Sequence, residues 1–204
     1  MVRLCSYVVR KDTGFAPNPF GRYCTLGACT PNHQGIRMQR GDWIVGHEPV
    51  SRGNKLVYAM KISEVIDFDD YFSDIRFEYK KPRRGGDWLT QCGDNIYHRE
   101  RGEWKQEWSP FHKKDQFRQD TKYPKAFIAE EFFYFGENAP PIPSQFSEII
   151  CRSQGCRCSY SPALVRAFLE WLQNTYPPGM HGFPRDREQP GNGGLIPLKA
   201  KRAR

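Results

Sequence analysis

The clearest amphipathic helix pattern in this sequence lies at residues 164–172, where apolar side chains recur with the spacing of one helix face. These side chains are Leu164, Val165, Phe168, Leu169 and Leu172. Ser161 is a favourable N-cap and Pro162 suits the first helical position, so a helix is predicted to begin there. The segments before it carry strand patterns without regular helical crossovers, which argues against a doubly wound sheet.

The clearest strand pattern covers residues 55–65, where Leu56, Tyr58, Met60 and Ile62 fall on one face. An apolar strand at 43–46 precedes it, and the two together indicate a hairpin. Further strands are predicted at 4–10, 23–26 and 127–135, and a short helix at 68–72. The predicted fold is therefore α+β, with a mixed or antiparallel curved sheet, or a partly closed β-barrel, and flanking helices outside it.

The charge distribution indicates a polyanionic partner. The chain of 204 residues has a net charge of +8 and a pI near 9.2, and such a charge attracts nucleic acid at long range. We expect one globular domain over residues 1–190 and a flexible basic tail over 191–204. The residues expected to contact the nucleic-acid backbone are Lys80, Lys81, Arg83 and Arg84. The predicted partner is a nucleic acid, DNA rather than RNA, or a nucleotide.

The cysteines and apolar segments bear on the compartment and on metals. No apolar run of about 18 residues predicts a membrane span, and no secretion signal is recognised, so we expect a cytoplasmic protein with no membrane partner. Seven cysteines, an odd number, predict no disulfide framework. The spacings of Cys24 with Cys29, and of Cys151 with Cys156 and Cys158, differ from those of structural zinc sites. We therefore predict no metal and no cofactor, with the second cluster as the first to test for zinc.

The loop at 12–20 is the most distinctive stretch of the sequence. It offers a carboxylate, a hydroxyl, a carboxamide and two aromatic rings, the groups that stack a base and bond its edge. The candidate ligand-binding residues are Asp12, Thr13, Gly14, Phe15, Asn18 and Phe20. The alternative is a capped turn, in which Asp12 and Asn18 bond the loop's own backbone and the rings enter the core. A base-binding role predicts that Asn18→Ala selectively weakens binding of a modified nucleotide.

A second polar cluster lies at residues 93–98. Asp94, Asn95, Tyr97 and His98 could bond a base or serve in acid–base chemistry. The alternative is a turn that leads into a strand. The sequence contains no phosphate-binding loop, metalloprotease helix, nucleophile elbow or deaminase motif. If the protein is an enzyme, Asp12, Asp94 and His98 are the candidates for proton transfer.

The order of these motifs resembles a known family. The strand at 7–10, the loop at 12–20, the segments 23–26, 41–46 and 93–97, and the stretch 132–140 are similar to the bacterial and phage nucleotide modification associated domain family, second type. The resemblance covers roughly residues 4–185. It implies association with systems that modify bases in DNA, and it maps no catalytic residue.

A more distant resemblance concerns the fold. The hairpin at 41–62, followed by the acidic and aromatic segment 68–72, is similar to the PUA-like group, which includes the EVE, ASCH and YTH domains. That resemblance implies a small curved β-barrel that accepts a modified base in an aromatic pocket. Trp43 is included among the candidate pocket residues.

Three hypotheses of function follow from the sequence. The first is a domain that binds a modified base, nucleotide or nucleic acid in a base-modification or phage-defence system. The second is an enzyme that acts on a nucleotide or DNA base in a hypermodification pathway. The third is a protein-interaction module of a phage or defence system, in which the charge serves solubility. Titration with modified and plain DNA, with a search for products, distinguishes the three.

Overall fold

The computed structural model describes residues 1–112, 116–152 and 155–187, so the predicted tail at 191–204 lies outside the described residues. The strands are β1 (Leu4–Val8), β2 (Cys24–Leu26), β3 (Trp43–His47), β4 (Leu56–Lys61), β5 (Glu64–Asp67), β6 (Tyr97–Glu100), β7 (Glu103–Gln106), β8 (Lys125–Ala129), β9 (Glu131–Tyr134), β10 (Cys156–Arg157) and β11 (Gly179–Met180). The α-helices are α1 (Thr30–His33), α2 (Phe68–Ser73), α3 (Trp88–Gln91), α4 (Phe117–Asp120) and α5 (Pro162–Thr175). Short 3-10 helices include Val50–Arg52, Ile75–Lys80, Gly136–Asn138 and Ser144–Ile149. The α+β fold class is confirmed.

A six-stranded mixed sheet forms the centre of the fold, in the order β10-β1-β3-β4-β9-β11. The strands β1 and β3 are parallel, with Leu4 opposite Trp43. The strands β3 and β4 form the predicted antiparallel hairpin, with Ile44 opposite Met60. Because β1 and β3 are parallel, the chain between them must cross from one end of the sheet to the other. That connection contains the loop at 12–20.

A three-stranded antiparallel sheet, β2-β8-β5, continues from the main sheet at two corners. The strand predicted at 55–65 divides into β4 and β5 at Ile62 and Ser63, and the strand predicted at 127–135 divides into β8 and β9 at Glu130. At the corner, Ser63 donates its backbone N–H to the Ile128 carbonyl at 2.8 Å. The curved mixed sheet is thus confirmed. The barrel alternative is wrong for the described part of the chain, where the two sheets do not close on each other.

Two hydrophobic layers lie on the two faces of the main sheet. The layer between the two sheets includes Tyr58 and Tyr134. The layer on the opposite face includes Trp43 and Phe133, and Phe168 of α5 packs onto it. Burial of each such side chain contributes about 1.5–3 kcal/mol to stability.

The helix α5 forms as the sequence predicts. Ser161 caps it by accepting a hydrogen bond from the backbone N–H of Leu164 at 3.2 Å. Its buried side chains are Val165, Phe168, Leu169 and Leu172. One apolar face therefore covers the main sheet, and the other face remains in solvent.

A third hydrophobic cluster lies on the outer side of the second sheet. It joins Phe15 of the loop at 12–20 to Tyr71 of α2, Tyr97 of the β6–β7 hairpin and Ile128 of β8. The loop is therefore placed where the second sheet, α2 and the hairpin meet. The residues predicted to form a site come together around this cluster.

Candidate functional site

The loop at 12–20 is mostly buried rather than open to a ligand. The buried candidate residues are Asp12, Gly14, Phe15, Asn18 and Phe20, and Thr13 is half-buried. Gly14 has φ +79°, and a Cβ there would lie 2.8 Å from Pro184 and 2.9 Å from a Phe20 ring atom. A side chain at this position would both strain the backbone and push away the segment at 184–186, so glycine is required here.

The Asp12 carboxylate is held by groups from β9 and from the segment at 184–186. Tyr134 donates its hydroxyl hydrogen to Oδ1, and the backbone N–H of Arg185 donates to Oδ2 at 3.1 Å. Burial raises the pKa of Asp12 to about 6, although these two hydrogen bonds oppose the shift. The carboxyl group therefore titrates near neutral pH, and its oxygens bond protein groups.

Asn18 bonds the protein through its whole side chain. Its Nδ2 donates to the Cys92 carbonyl at 2.8 Å, and its Oδ1 accepts from Lys80 Nζ at 2.6 Å and from the backbone N–H of Phe20 at 3.3 Å. Only the bond from Phe20 lies within the loop, as in the capped-turn alternative, and the other two join the loop to Cys92 and Lys80. Binding a base through this side chain would require these bonds to break.

Lys80 was expected to contact phosphate, and this expectation is wrong. Its side chain is only 1% exposed, because the ammonium group turns inward to donate to backbone carbonyls of Asn18, Phe20 and Tyr23 at 2.7–2.9 Å. Burial lowers the pKa of Lys80 to about 8. Lys80 therefore joins the 3-10 helix at 75–80 to the loop through buried hydrogen bonds. The basic composition of residues 80–84 did not predict that one of these side chains is buried.

Asp94 and Asn95 also bond the interior. Asp94 accepts hydrogen bonds from the Tyr71 hydroxyl at 2.7 Å, the Thr25 hydroxyl at 2.9 Å and the backbone N–H of Gly27 at 3.0 Å. Burial raises the pKa of Asp94 despite these bonds. Asn95 donates to the Tyr71 carbonyl at 2.8 Å. Asp94 thus connects β2 to α2, and Asn95 connects α2 to the 3-10 helix at 75–80, where it also donates to the Phe77 carbonyl at 3.4 Å.

Two further candidates lie away from the loop. Trp43 is buried on the opposite face of the main sheet, stacked on Phe133 at 6.1 Å between ring centroids, so its placement in a pocket with the loop is wrong. His98 lies in β6, where it stacks on Phe72 at 4.0 Å and its Nε2 is 2.9 Å from Glu107 Oε1. Neither residue shares a site with Asp12.

A buried carboxylate that sequence analysis missed lies beside the loop. Asp120 Oδ1 is 2.5 Å from Nε2 of His33, and Oδ2 is 3.2 Å from Nε2 of His112. Tyr97 donates its hydroxyl hydrogen to Oδ2, and burial raises its pKa so that it keeps this proton. Phe15 stacks on His112 at 4.4 Å. These residues are far apart in sequence, so no spacing signal could have revealed the group.

An exposed basic and aromatic surface adjoins the loop at Phe20. Arg83 and Arg84 are exposed, and the Arg84 guanidinium lies 5.6 Å from the centre of the Trp108 ring. Trp88 is half-buried and packs edge-on against Phe20 at 5.6 Å. We call Arg83, Arg84, Trp88 and Trp108 the Arg83–Trp108 face. Lys81 lies beside it, paired with Glu78 at 2.6 Å.

The cysteines are arranged differently from the sequence-based grouping. Cys24 and Cys29 are buried in the core, as expected for free thiols. Cys156 and Cys158 lie with Cys5, and all three Sγ atoms are within 4.8 Å of one another. Cys151 is elsewhere, with its Sγ 3.1 Å from the Ser6 hydroxyl. Pairing between β1 and β10 brings Cys5 into the group, which local spacing could not show.

Comparison with known families supplies the wider context of this geometry. The model of one family, described as nucleotide modification associated domain 2, matches residues 1–189. The chain belongs to this family. The match includes the loop at 12–20, the Arg83–Trp108 face and the segment at 184–186, so these features all lie within the nucleotide modification associated domain 2.

Membership places this nucleotide modification associated domain 2 protein in the context of nucleotide modification, as the motifs predicted. No curated protein and no solved structure matches the chain. The similarity to PUA-like domains therefore stays a prediction. Among the described residues, no helix is both long and apolar enough to cross a membrane.

Proposed function

We propose that this domain binds a modified base, carried by DNA or a nucleotide, in a base-modification or phage-defence system. The observation that carries the proposal is that the side chains of Arg83 and Arg84 are exposed and form no ion pair within the described part of the chain. No described carboxylate lies within ion-pair distance of either guanidinium. By contrast, Arg76 is exposed but held by Glu64 at 2.6 Å. Unpaired guanidinium groups are the side chains best suited to bond phosphate oxygens.

The aromatic rings of the same face support contact with bases. Trp88 and Trp108 are each half-buried, so each ring is fixed by the protein and still has accessible surface. A base can stack on such a ring, for about 1–3 kcal/mol, while a neighbouring arginine bonds the phosphate. Arg84 supplies the guanidinium for a phosphate and Trp108 supplies the ring for a base, with 5.6 Å between the guanidinium and the centre of the ring.

The loop at 12–20 then has a supporting role. Phe20 packs against Trp88, and Cys92 Sγ lies 3.3 Å from the Thr13 carbonyl. The polar groups of the loop hold it in place beneath the Arg83–Trp108 face. Its contribution to binding is to fix the ring of Trp88 from below.

A second candidate function, an enzyme acting on a base or nucleotide, is favoured by His33. Its Nε2–H donates to buried Asp120, and its Nδ1 accepts from Gln119 at 3.0 Å. Gln119 is exposed, so a substrate could take its place at Nδ1. A carboxylate that orients an imidazole in this way prepares it to act as a general base.

The binding proposal is tested with the full chain and labelled DNA, single-stranded and duplex, with plain or hypermodified pyrimidines. The double variant Arg83→Gln with Arg84→Gln should weaken binding of all DNA at least tenfold. The matched control, Arg40→Gln with Arg166→Gln, removes two exposed charges elsewhere and should change it much less. The wild type should prefer DNA with the modified base. Equal loss in both double variants, or no binding at all, would overturn the assignment of the face and favour a protein-interaction module.

The enzyme candidate is tested by mass spectrometry of the same DNA and of free nucleotides after incubation. A product that disappears in His33→Gln and persists in His98→Gln would establish this function. His98 is the matched control because it is also a partly exposed histidine beside a carboxylate. No product with any substrate removes the enzyme candidate.

A further inference from the structure

The edge of the main sheet brings three cysteines together across one strand pair. The strands β1 and β10 are antiparallel, with Ser6 opposite Arg157 and Tyr7 opposite Cys156. Continued by one residue, this register places Cys5 opposite Cys158. Side chains two residues apart lie on the same face of a strand, so Cys156 and Cys158 share the face that Cys5 presents.

The thiols are close enough to share one ion. Their three Sγ atoms lie within 4.8 Å of one another, and none is in a disulfide. In a tetrahedral zinc site with Zn–S bonds of about 2.3 Å, the sulfur atoms are about 3.8 Å apart. The group therefore needs an inward movement of at most about 1 Å, which side-chain rotation can supply.

The burial of the three thiols differs in a way that suits uptake of an ion. Cys5 is fully buried, Cys156 is half-buried and Cys158 is exposed. Gln34 holds the backbone of the middle ligand, since its Oε1 accepts from the backbone N–H of Cys156 at 3.1 Å. The bond from the Cys156 thiol to the same oxygen, at 2.9 Å, would be replaced by the bond to the ion. An ion can enter from the side of Cys158 and reach a rigid ligand beneath.

We propose that Cys5, Cys156 and Cys158 bind one zinc ion, with water in the fourth position. Three thiolates are soft ligands that select zinc over magnesium or calcium. Binding releases the three thiol protons to solvent and changes no oxidation state. The ion would tie β10, a strand of two residues, to β1 of the main sheet. The site is independent of the proposed nucleic-acid function.

The proposal is tested with the full reduced chain, free of chelator, titrated with Co²⁺ and Zn²⁺. One Co²⁺ per chain should produce a thiolate-to-cobalt charge-transfer band, which one equivalent of Zn²⁺ abolishes. Zinc should raise the melting temperature and a chelator should lower it. Because even indirect partners of a metal contribute about 10- to 100-fold to affinity, Cys158→Ser should weaken binding by more than about 100-fold.

The matched control is Cys151→Ser, which removes a neighbouring thiol outside the group and should bind cobalt as the wild type does. Cys158 is exposed, so its replacement by serine should leave the metal-free melting temperature unchanged. The proposal is overturned if the reduced wild type gives no band, or if Cys158→Ser retains it. It is also overturned if mass spectrometry of the freshly isolated protein shows a disulfide between two of the three cysteines and added Zn²⁺ does not protect them.

Discussion

The Lys80 ammonium donates a hydrogen bond to Oδ1 of Asn18 at 2.6 Å in the interior of the protein. The same nitrogen also donates to the backbone carbonyls of Asn18, Phe20 and Tyr23. A single cation thus gathers four acceptors from the first loop of the chain. The exposed neighbours Arg83 and Arg84 make no comparable contacts with the described residues. Within this basic stretch, Lys80 therefore stabilises the fold, whereas Arg83 and Arg84 face solvent.

Replacing Lys80 with methionine should lower the free energy of unfolding by at least about 2 kcal/mol. The substitution leaves the buried carbonyls of Phe20 and Tyr23 without their donor, and each unsatisfied group costs about 1–3 kcal/mol. The carbonyl and Oδ1 of Asn18 each keep one backbone donor. Denaturant unfolding measures the change. Lys81→Met is the control and should cost only about 1 kcal/mol, since Lys81 makes a surface ion pair with Glu78 and a cation–π contact with Phe72. Similar small losses in both variants, with DNA binding reduced only by Lys80→Met, would contradict the assignment.

Replacing Asn18 with alanine should lower stability by about 2 kcal/mol, because Lys80 and the Cys92 carbonyl each lose a partner. Among folded molecules, binding of modified and plain DNA should be unchanged. The base-binding hypothesis for Asn18 instead predicts a selective loss for the modified ligand by one to two decades. Melting temperature and both affinities, measured on one preparation, decide between them. A selective loss with unchanged stability would restore Asn18 to the binding site.

Asp12 should make stability depend on pH in the acid range. Its pKa is about 6 in the folded chain, against an ordinary value of 3.8, so the folded chain holds this proton more tightly. The resulting stabilisation is fully present below about pH 4 and is lost as pH rises through about 6. Relative to Asp12→Asn, which resembles the protonated acid, the wild type should lose up to about 3 kcal/mol between pH 4 and pH 7.

Asp87 provides a control of opposite sign. Hydrogen bonds from Thr90 lower the pKa of Asp87 below its ordinary value, so its stabilisation is present at neutral pH and is lost as pH falls. Asp87→Asn should therefore destabilise the protein at pH 7 more than at pH 3. Urea unfolding at several pH values gives both profiles. A parallel pH dependence in the Asp12→Asn variant and the wild type would show that Asp12 does not titrate as proposed.

The salt dependence of DNA binding should report how many phosphates Arg83 and Arg84 contact. Each phosphate neutralised on duplex DNA contributes about 0.9 to the slope of log affinity against log salt. Removing both guanidinium groups should reduce the slope by up to about 1.8. The Arg40 and Arg166 double variant should keep the wild-type slope. Fluorescence anisotropy over a series of salt concentrations measures these slopes, and identical slopes in the two double variants would refute direct phosphate contact.

Local patterns in the sequence predicted the regular elements well. The helix after Ser161, the hairpin of β3 and β4, and the short helix after Asp67 all form, because their signals lie within a few residues of each other. The corners at Ser63 and Glu130 were not predicted, since no glycine or proline marks either bend and strand-forming residues lie on both sides of each. Whether the curved sheet closes into a barrel depends on contacts between strands far apart in sequence.

The candidate site was harder to predict than the fold. The sequence identifies Asn18 and Lys80 as polar and cannot show that they satisfy each other inside the protein. Asp120 gave no signal because its histidine partners, His33 and His112, lie in other segments. Cys5 likewise joins Cys158 only through strand pairing. Each of these contacts depends on tertiary packing. Residue type and local spacing do not show which distant residues will meet.

The mutual hydrogen bonds of Asp12 and Asp186 affect how the protein is made. Each residue donates its backbone N–H to an oxygen of the other at 2.8 Å, across 174 residues of sequence. A ribosome adds about 5–20 residues per second, so roughly 9 to 35 s separate the synthesis of the two partners. Throughout that interval the nascent loop lacks the segment that completes it. The two hydrogen bonds that join the loop at 12–20 to Asp186 can therefore form only late in synthesis.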